Sequence, residues 1–250
     1  MKLTQNLNFL RPEWPIPPHV HAYVTTRTGG FSRAPYQGFN LATHVGDDLA
    51  RVERNRDLLR LMLELPDNPV WLSQVHGTRV VDASQVHSTP AEADAAVTDR
   101  SGVVCAVLTA DCLPVFFSTL DGDKVAVAHA GWRGLANGVL EASLTALGTP
   151  PDEVMAWLGP AIGPNAFEVG QEVVDEFLRG GRDAIGCFEP AHSGKWFADI
   201  YALARLRLMN VGCRQVFGGG LCTYTDSKRF YSHRRDGGTT GRMASLIWMD

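Results

Sequence analysis

Short apolar runs recur along the chain between polar turns, and each run predicts a β-strand. β-Branched and aromatic residues are concentrated in these runs, which is typical of strands with at least one buried face. The last run has almost no polar residue, so we expect that strand to be buried on both faces. The predicted strands are Val20–Thr26, Val70–Val75, Arg79–Ala83, Val103–Leu108, Leu113–Leu120, Lys124–His129 and Met243–Met249.

Apolar residues at near-helical spacing predict helices between some of these strands. The first helix follows Asp47 and Asp48, whose carboxylates can cap a helix N-terminus, and Pro66 stops it. Each later helix is closed by a glycine, a common residue after the last helical turn. The later helices are Leu135–Leu147, Gln171–Arg179 and Asp199–Asn210, closed by Gly148, Gly180 and Gly212.

The order of these elements predicts an α+β fold with mixed sheets. Strands come in clusters with helices inserted between them, not in strict alternation with helices. That order favours mixed sheets with helices outside them over a doubly wound parallel sheet. No repeat of fixed period, low-complexity tract or long charge block marks a linker. We therefore expect residues 1–250 to form a single domain.

Composition and charge narrow the range of partners. The 250 residues carry 23 Lys plus Arg and 27 Asp plus Glu, a formal net charge of −4, which argues against nucleic acid as the main partner. The longest purely apolar run, Val103–Leu108, is far shorter than the ~20 residues of a membrane-spanning helix. We therefore expect no membrane association.

The cysteines and the N-terminus predict a cytoplasmic protein. Five cysteines is an odd number, and no two of them form a Cys-x-x-Cys pair, so a disulfide framework is not expected. The first seven residues lack the charged head, apolar middle and cleavage site of a secretory signal. Most of the cysteines are expected to be small core residues, namely Cys105, Cys187, Cys213 and Cys222.

Several common enzyme classes lose their usual sequence support. The chain contains no Gly-x-Gly-x-x-Gly, no Gly-x-x-x-x-Gly-Lys-Ser/Thr, no His-Glu-x-x-His and no Gly-x-Ser-x-Gly. These absences argue against dinucleotide binding, P-loop hydrolysis, zincin proteolysis and α/β-hydrolase chemistry. The signature of zinc nucleobase deaminases is missing as well.

Three segments place a metal-ligating residue type at a turn beside a predicted strand: Leu72–Gly77 (LSQVHG), Thr109–Pro114 (TADCLP) and Ala128–Gly134 (AHAGWRG). Imidazole, thiolate and imidazole from His76, Cys112 and His129 make a plausible set of three ligands for Zn²⁺, with a fourth position open for water or substrate.

The spacing alone does not decide between a metal site and a nucleophilic cysteine. His76 and Cys112 are 36 residues apart, and Cys112 and His129 are 17 apart, which matches no local metal motif. A histidine that lowers the pKa of a cysteine would give a Cys–His nucleophile from the same residues. Both interpretations stay open at this point.

The three segments, taken verbatim, resemble the YfiH-type laccase-domain family. That family comprises purine nucleoside phosphorylases once described as multicopper polyphenol oxidases. The resemblance covers nearly the whole chain, which makes it highly specific. The other matching blocks, in the order of the family, are Thr25–Ser32, Pro35–Tyr36, Asn40–Leu41, His44–Asp48, Gly159–Pro164 and Tyr231–Gly237.

The resemblance implies a fold, a metal and an activity. The fold is a single-domain four-layer α/β/β/α sandwich, related to the deamidase fold of cytotoxic necrotizing factor. Zn²⁺ is held by His76, Cys112 and His129, which also carry catalysis. The implied reaction is phosphorolysis of adenosine, inosine and methylthioadenosine to the free base and ribose 1-phosphate, with adenosine deamination as a side activity. The expected partners are therefore nucleosides and phosphate, and we expect a monomer or weak homodimer.

Arginines near glycines are candidates for binding phosphate. Arg27 is followed by a pair of glycines and Arg133 has glycines on both sides, which places guanidinium groups beside backbone N–H donors. His233 and Arg234 can complete such an anion site. An arginine in a surface turn and a solvated run of charges are the ordinary alternatives.

Two further polar residues are candidates for contact with the substrate or with a metal ligand. Asn40 can hydrogen-bond a ribose hydroxyl. Asp111 can do the same, but it directly precedes Cys112. On an extended strand its side chain therefore points away from a metal held by Cys112, which makes it a poor candidate for the base.

Three alternatives to a zinc-dependent phosphorylase remain. In a Cys–His amidohydrolase that edits peptidoglycan precursors, Cys112 attacks a carbonyl and His129 is the base. Copper can bind the same thiolate and imidazoles, which would allow polyphenol oxidation, although a multicopper centre needs more imidazoles than the eight His of this chain. The third is a non-catalytic module that binds a nucleoside or a phenol.

Overall fold

The structure is a computed structural model that describes residues 7–86 and 90–250. Residues 1–6, on which the prediction of a missing secretory signal chiefly rests, lie outside the described residues. Within the described ranges, no helix combines the length and apolar character needed to cross a membrane.

The described residues form helices and short strands in an irregular order. The helices are α1 (Leu49–Leu63), α2 (Trp132–Asn137), α3 (Val139–Leu147), α4 (Gln171–Leu178) and α5 (Ile200–Asn210). The strands are β1 (Phe9–Leu10), β2 (Val20–Thr25), β3 (Leu72–Ser73), β4 (Val80–Asp82), β5 (Ala91–Glu92), β6 (Ala95–Thr98), β7 (Cys105–Thr109), β8 (Leu113–Thr119), β9 (Val125–Ala130), β10 (Val154–Leu158), β11 (Glu168–Val169), β12 (Phe188–Pro190), β13 (Trp196–Ala198), β14 (Gln215–Gly218) and β15 (Met243–Met249). Short 3₁₀ helices lie at Ala83–Gln85, Pro151–Glu153, Arg182–Cys187 and His192–Gly194.

Two large sheets carry the fold. The first has the strand order β1-β2-β15-β7 and is antiparallel throughout. The second has the order β14-β10-β8-β9-β6-β4, and it is mixed because the β14–β10 and β6–β4 pairs are parallel. Smaller sheets form from β11-β13-β12 and from β3-β5. The predicted mixed sheets are therefore confirmed.

The two large sheets bury an apolar layer between them. Val107 and Ile247 of the first sheet and Phe116 and Val127 of the second are fully buried in one cluster. A burial of this kind contributes roughly 25 cal/mol for each Å² of apolar surface. The sheets thereby fix the relative position of the strand ends that carry the site.

Helices cover each sheet on the side away from this layer. Leu140 of α3 and Leu203 of α5 pack in one cluster with Phe117 of the second sheet. Leu59 of α1 packs in another cluster with Leu246 of the first sheet. A mixed α/β fold with several sheets is confirmed, whereas the four-layer order of the sandwich and its relation to a toxin deamidase stay predictions.

The first predicted helix is confirmed with its boundaries. Helix α1 begins after Asp48, whose carboxylate accepts hydrogen bonds from the N–H groups of Ala50 and Arg51. It ends at Glu64, which adopts a left-handed conformation with φ of 48°, before Pro66 is reached. A capping carboxylate and a left-handed last residue are the usual ways to satisfy helix ends.

The strand predicted at residues 70–75 is shorter than expected. Only Leu72–Ser73 pairs as a strand, while Val70 forms an isolated bridge with Cys105. The side-chain amide of Gln74 bonds to both the N–H and the C=O of Leu108, so a side chain takes the place of the backbone ladder. Strands β1, β5, β6 and β10–β14 were not predicted.

The helix predicted at Leu135–Leu147 is wrong as a single element. Helix α2 already starts at Trp132, and Gly138 separates it from α3. The φ angle of Gly138 is 99°, a conformation that a right-handed helix cannot contain and that residues with a side chain rarely adopt. The break turns α2 away from α3, towards the candidate site described below.

Substitution of Gly138 by Ala is expected to lower the free energy of unfolding by roughly 1–2 kcal/mol, because a Cβ atom is strained at this φ. Urea denaturation checks this. Gly180→Ala is the matched control, since Gly180 has no left-handed φ and no atom within 4 Å of a built Cβ. Equal stability of the two variants would contradict the strained-break interpretation.

Candidate metal centre and cavity

Three strand ends bring the predicted ligands together. His129 lies near the end of β9, Cys112 lies in the link from β7 to β8, and His76 follows β3. Their ligating atoms all lie within 4.8 Å of one another. Because β7 and β8 belong to different sheets, the link that carries Cys112 crosses from one sheet to the other. The fold thus brings together three residues whose sequence spacing matches no local metal motif.

Asp94 holds two of the three ligands in place. Its carboxylate is fully buried and lies 2.8 Å from Nδ1 of His129. The same carboxylate accepts hydrogen bonds from the backbone N–H groups of Val75, His76 and Gly77, at 3.3, 2.9 and 2.6 Å. A carboxylate has no proton to give, so Nδ1 of His129 is the donor and Nε2 is left free to bind a metal.

The electrostatics of Asp94 keep it ionised. Burial on its own raises the pKa of this carboxyl group, but the hydrogen bond from His129 and the backbone donors of Gly77 and His76 outweigh burial and lower the pKa below its ordinary value. The negative charge therefore remains available to orient the imidazole at neutral pH.

The backbone around the ligands leaves little free space. His76 has a left-handed φ of 61°, which is uncommon for a non-glycine residue and is held by the hydrogen bonds to Asp94. A Cβ atom built on Gly131 would lie 2.6 Å from Cδ2 of His76 and 3.2 Å from Sγ of Cys112. Only glycine at position 131 therefore lets α2 start this close to the ligands.

Cys112 and His129 form a strongly coupled pair. Burial on its own raises the pKa of the Cys112 thiol, but the positive imidazole of His129 and hydrogen bonds from both histidines outweigh burial and lower that pKa to about 6. Burial on its own lowers the pKa of His129, but the Cys112 thiolate and Asp94 outweigh it and raise that pKa to about 9. Between these values the metal-free pair is a thiolate beside an imidazolium.

The separation of two of the three ligating atoms suits a tetrahedral metal ion. Sγ of Cys112 lies 3.7 Å from Nε2 of His76. Tetrahedral Zn²⁺ with ordinary Zn–N and Zn–S bonds separates such atoms by roughly 3.6 Å. The donor set of one sulfur and two imidazoles suits zinc, and copper binds the same types of atom. Within the described residues, this is the cluster that could hold a metal ion.

The cluster lies in the wall of a cavity of about 580 Å³, a size typical of small-molecule sites. One part of the wall is apolar and includes aromatic rings, which suits a flat heterocycle. The apolar and aromatic residues of the wall include Leu108, Trp132, Ile162, Phe167, Val173 and Ile200.

Cationic side chains gather around the same cavity. Arg133, Lys195, Arg234 and Arg242 all line it. The guanidinium of Arg133 lies 4.3 Å from the ring centre of Trp132, and Nη1 of Arg234 donates to the carbonyl of Glu168 at 2.9 Å. Such groups favour a negatively charged ligand.

Three acidic residues also line the cavity, one fewer than its four cationic side chains, and one of the three is hydrogen-bonded within the protein. Asp111, Glu168 and Glu172 line the cavity. Both carboxylate oxygens of Asp111 accept hydrogen bonds from the protein, from Thr223 Oγ1 at 2.6 Å and from the backbone N–H of Arg234 at 2.7 Å.

The sequence predicts Asp111 on an extended strand, but the structure does not place it on one. Its φ is 84°, so the chain turns sharply just before Cys112. The carboxylate nevertheless faces away from the ligands, towards Thr223, Ser232 and the backbone of Arg234. These hydrogen bonds to Asp111 hold the 223–236 segment against the turn that carries Cys112.

The structure brings some of the predicted binding residues to the cavity and leaves others away from it. Arg133, His233 and Arg234 line the cavity together with the metal-ligand candidates. Asn40 is fully buried and does not line the cavity; its amide bonds to Asp47, to both backbone groups of Ala42 and to the N–H of Arg242.

Arg27 also lies outside the cavity lining. Its guanidinium is 4.8 Å from the ring centre of Tyr231 and donates to the carbonyls of Ser227 and Gln37 at 3.4 and 3.5 Å. Direct contact of Arg27 or Asn40 with a substrate therefore has no support from this geometry. Asn40 acts on the cavity indirectly, through the backbone of Arg242.

Asp94, Arg242 and His44 are among the residues of the site that sequence reasoning missed. Asp94 sits among small apolar residues with no local motif, and only the fold brings it to His129. Arg242 precedes the last strand and carried no signal of its own. His44 lies in one of the blocks that resemble the family, and that resemblance is the sequence signal that could have identified it as a site residue. Burial, with Arg242 and Arg56 nearby, lowers the pKa of His44, so this imidazole is neutral at neutral pH.

The chain is similar to known proteins over most of its length. The family model described as multi-copper polyphenol oxidoreductase laccase matches residues 21–250. A Pseudomonas aeruginosa protein named a purine nucleoside phosphorylase is 52% identical over 242 residues, covering 96% of this chain and 98% of its own. The purine nucleoside phosphorylase YfiH of Escherichia coli is 51% identical over 238 residues, covering 95% and 97%.

Solved structures are similar over almost the whole chain. A Neisseria meningitidis protein of the domain family DUF152 is 51% identical with a TM-score of 0.94, covering 97% of this chain and 99% of its own. YlmD from Geobacillus stearothermophilus is 32% identical with a TM-score of 0.90, covering 96% of both chains. The protein therefore belongs to the multi-copper polyphenol oxidoreductase laccase family, in which it is similar to the YfiH proteins.

Proposed function

We propose that this protein is a zinc-dependent purine nucleoside phosphorylase of the cytoplasm. It converts adenosine, inosine or methylthioadenosine and phosphate to the free base and the corresponding ribose 1-phosphate. The observation that carries the proposal is the His76, Cys112 and His129 cluster in the wall of a cavity lined by aromatic rings and arginines. The names of relatives at about 50% identity support it.

The cavity supplies what phosphorolysis requires. The C1′–N bond to the purine breaks, a C1′–O bond to hydrogen phosphate forms, and the proton that the phosphate gives up goes to the departing purine nitrogen. Arg133, Arg234 and His233 hold the phosphate, and Arg242 adds positive charge on the same wall. Fixed cations of this kind stabilise the charges that move in the transition state.

Aromatic side chains hold the base. The rings of Trp132 and Phe167 line the cavity, and each lies under a guanidinium group, of Arg133 at 4.3 Å and of Arg234 at 5.9 Å. A purine that stacks on this wall is therefore close to the groups that hold phosphate.

Zn²⁺ would be held by Nε2 of His129, Sγ of Cys112 and an imidazole nitrogen of His76. When bound there, the ion supplies a Lewis acid that polarises an oxygen or activates water. Adenosine deamination, the proposed side activity, replaces the C6–N bond by a C6–O bond from water and releases ammonia, and an ion held by these residues would supply the chemistry for it. Asp94 keeps the imidazole of His129 in the orientation that the metal needs.

A Cys–His amidohydrolase is the second candidate, and one observation favours it. The lowered pKa of Cys112, together with the buried imidazole of His129, is also what a cysteine nucleophile requires. In that mechanism Cys112 attacks a carbonyl and His129 transfers the proton. Copper-dependent phenol oxidation would use the same three residues, but the described cluster has three ligands where a multicopper centre needs many more.

Replacing Cys112 by Ala is expected to abolish bound zinc and phosphorolysis together, because the sulfur is one of only three protein ligands. Metal analysis and chromatography of products from inosine and adenosine, with and without phosphate, measure both. Cys187→Ala is the matched control, since Cys187 is half-buried and does not line the cavity. Near wild-type rates in a folded Cys112→Ala protein would contradict the assignment.

Replacing Asp94 by Asn is expected to weaken zinc affinity by roughly 10- to 100-fold. The amide cannot accept from His129 and from all three backbone N–H groups at once, so both imidazoles lose their orientation. Competition with a fluorescent zinc chelator gives the affinity without relying on activity. Asp123→Asn, whose carboxylate bonds to Thr119 far from the ligands, controls for the loss of one charge. Unchanged zinc affinity would rule out this role for Asp94.

Alkylation of Cys112 in the chelator-treated protein is expected to rise with a midpoint near pH 6. The sign follows from the thiol: a lowered pKa means that the reactive thiolate is present above about pH 6 and lost below it. An ordinary thiol has its midpoint near pH ~8.5. Mass spectrometry of iodoacetamide adducts measures the rate, with Cys112→Ala as the blank.

Added zinc decides between the two candidate functions in the same experiment. Protection of Cys112 from alkylation and gain of phosphorolysis would support the phosphorylase. Full activity on an amide substrate in the presence of chelator, with covalent trapping of Cys112, would support the amidohydrolase.

A further inference from the structure

One buried hydroxyl beside the ligand cluster has no partner. Thr109 is the last residue of β7, its side chain is 2% exposed, and its Oγ1 makes no hydrogen bond to the described residues. A buried hydroxyl without a partner is costly, and folded proteins contain few of them. We therefore expect the Thr109 hydroxyl to form a hydrogen bond with a group that does not belong to the described residues.

The sheet geometry places this hydroxyl on the side of the metal ligands. Side chains alternate along a strand, and Cys105 and Val107 of β7 point into the layer between the two sheets. Thr109 follows at the same spacing. On β9, Val125 and Val127 point into the same layer, and His129 follows them. Thr109 and His129 thus lie at the ends of two strands that face each other. Both residues line the cavity.

The neighbouring polar side chain is already satisfied. Gln74 also lines the cavity, but its amide oxygen and nitrogen are both bonded to the backbone of Leu108, at 2.7 and 2.8 Å. Thr109 is therefore the polar group at this end of the first sheet that still has both its donor and its acceptor capacity free.

We propose that the hydroxyl of Thr109 hydrogen-bonds an oxygen of the bound substrate, and that Thr109 is a substrate-binding residue beside the metal cluster. The oxygen belongs either to phosphate or to a ribose hydroxyl, since both present the acceptor or donor that a threonine hydroxyl pairs with. The inference rests on the proposed function, because the substrate class is taken from it. It adds a specific contact that neither the cationic groups nor the metal ligands provide.

The proposal makes stability and activity change in opposite directions. Thr109→Val keeps the shape and the strand preference of the side chain but removes the hydroxyl. We expect a melting temperature at or above that of the wild type, since no internal hydrogen bond is lost. We expect kcat/KM for phosphorolysis to fall roughly 3- to 10-fold, the effect of one hydrogen bond. Thr109→Ser, which keeps the hydroxyl, is expected to retain most of the activity.

Ser245 offers a matched control. It is fully buried on β15, its Oγ also lacks a partner among the described residues, and it pairs with Val107, two residues before Thr109. It does not line the cavity. Ser245→Ala is therefore expected to leave kcat/KM unchanged, although it too removes an unpaired hydroxyl.

Two binding measurements identify the oxygen. Calorimetric titration of the zinc-loaded wild type and of Thr109→Val with inorganic phosphate alone, and then with inosine alone, separates the sources. Weaker binding of phosphate alone assigns a phosphate oxygen, and weaker binding of inosine alone assigns a ribose hydroxyl. Either result supports the proposal.

Other outcomes would overturn it. A lowered melting temperature of Thr109→Val with unchanged binding of both molecules would show that the hydroxyl has a structural partner. If the wild type binds phosphate or inosine without phosphorolysis, the proposed function fails; weaker binding by Thr109→Val still supports the contact, and unchanged binding of both molecules overturns it. Binding of neither molecule by the wild type would overturn both.

Discussion

The buried carboxylate of Asp94 is the interaction on which the site depends. Removing a charge from water costs several kcal/mol unless the protein replaces the lost hydration. Here one imidazole and three successive backbone N–H groups do so. The same hydrogen bonds fix the turn that carries His76 and the orientation of His129. The cost of burying the charge is thus offset by groups that have to be ordered for metal binding in any case.

A second carboxylate ties the metal ligands to the rest of the cavity. Asp111 stands next to Cys112 in the link between the two sheets, and it accepts hydrogen bonds from Thr223, Ser232 and the backbone of Arg234. The segment that carries Arg234 is therefore held against the ligand-bearing turn. Because Arg234 is one of the cavity's cations, the position of the anion-binding groups is set by the same residue that shapes the turn at Cys112. The turn that carries Cys112 and the segment that carries Arg234 therefore cannot shift independently.

The sequence predicts the ligands better than it predicts what supports them. His76, Cys112 and His129 stand out because their residue types are few and each sits at a turn beside an apolar run. Asp94 could not be found this way, since its partners are 35 residues away at His129 and in a separate turn, and only the pairing of β6 with β9 joins them. Arg27 shows the converse case: an arginine beside glycines resembles a phosphate site, yet in the structure its guanidinium lies over Tyr231 and outside the cavity lining, so its role stays a prediction.

The fold shows the same division between local and long-range information. Helix α1 is predicted with its boundaries because its cap at Asp48 and its stop before Pro66 are local signals. The single helix predicted over residues 135–147 fails because Gly138 has two possible roles, a tolerated helical residue or a left-handed break. Packing decides between them: α2 must leave the direction of α3 so that its N-terminus can reach the ligands through Gly131.

The coupled titration of Cys112 and His129 explains how one arrangement suits two kinds of chemistry. Without metal, the thiol pKa is lowered to about 6 and the imidazole pKa is raised to about 9, so at neutral pH the pair holds one proton, on the imidazole. A metal ion needs both groups deprotonated, and it therefore has to displace that single proton. Cysteine chemistry needs the opposite, a thiolate with an imidazolium ready to give up its proton. Asp94 favours the imidazolium through its charge, and it also presents Nε2 towards the cluster, as a metal ligand requires. The electrostatics alone thus permit either chemistry. What favours the phosphorylase is the surroundings of the pair, namely a third ligand in His76 at 3.7 Å from the sulfur and a cavity whose cations suit phosphate.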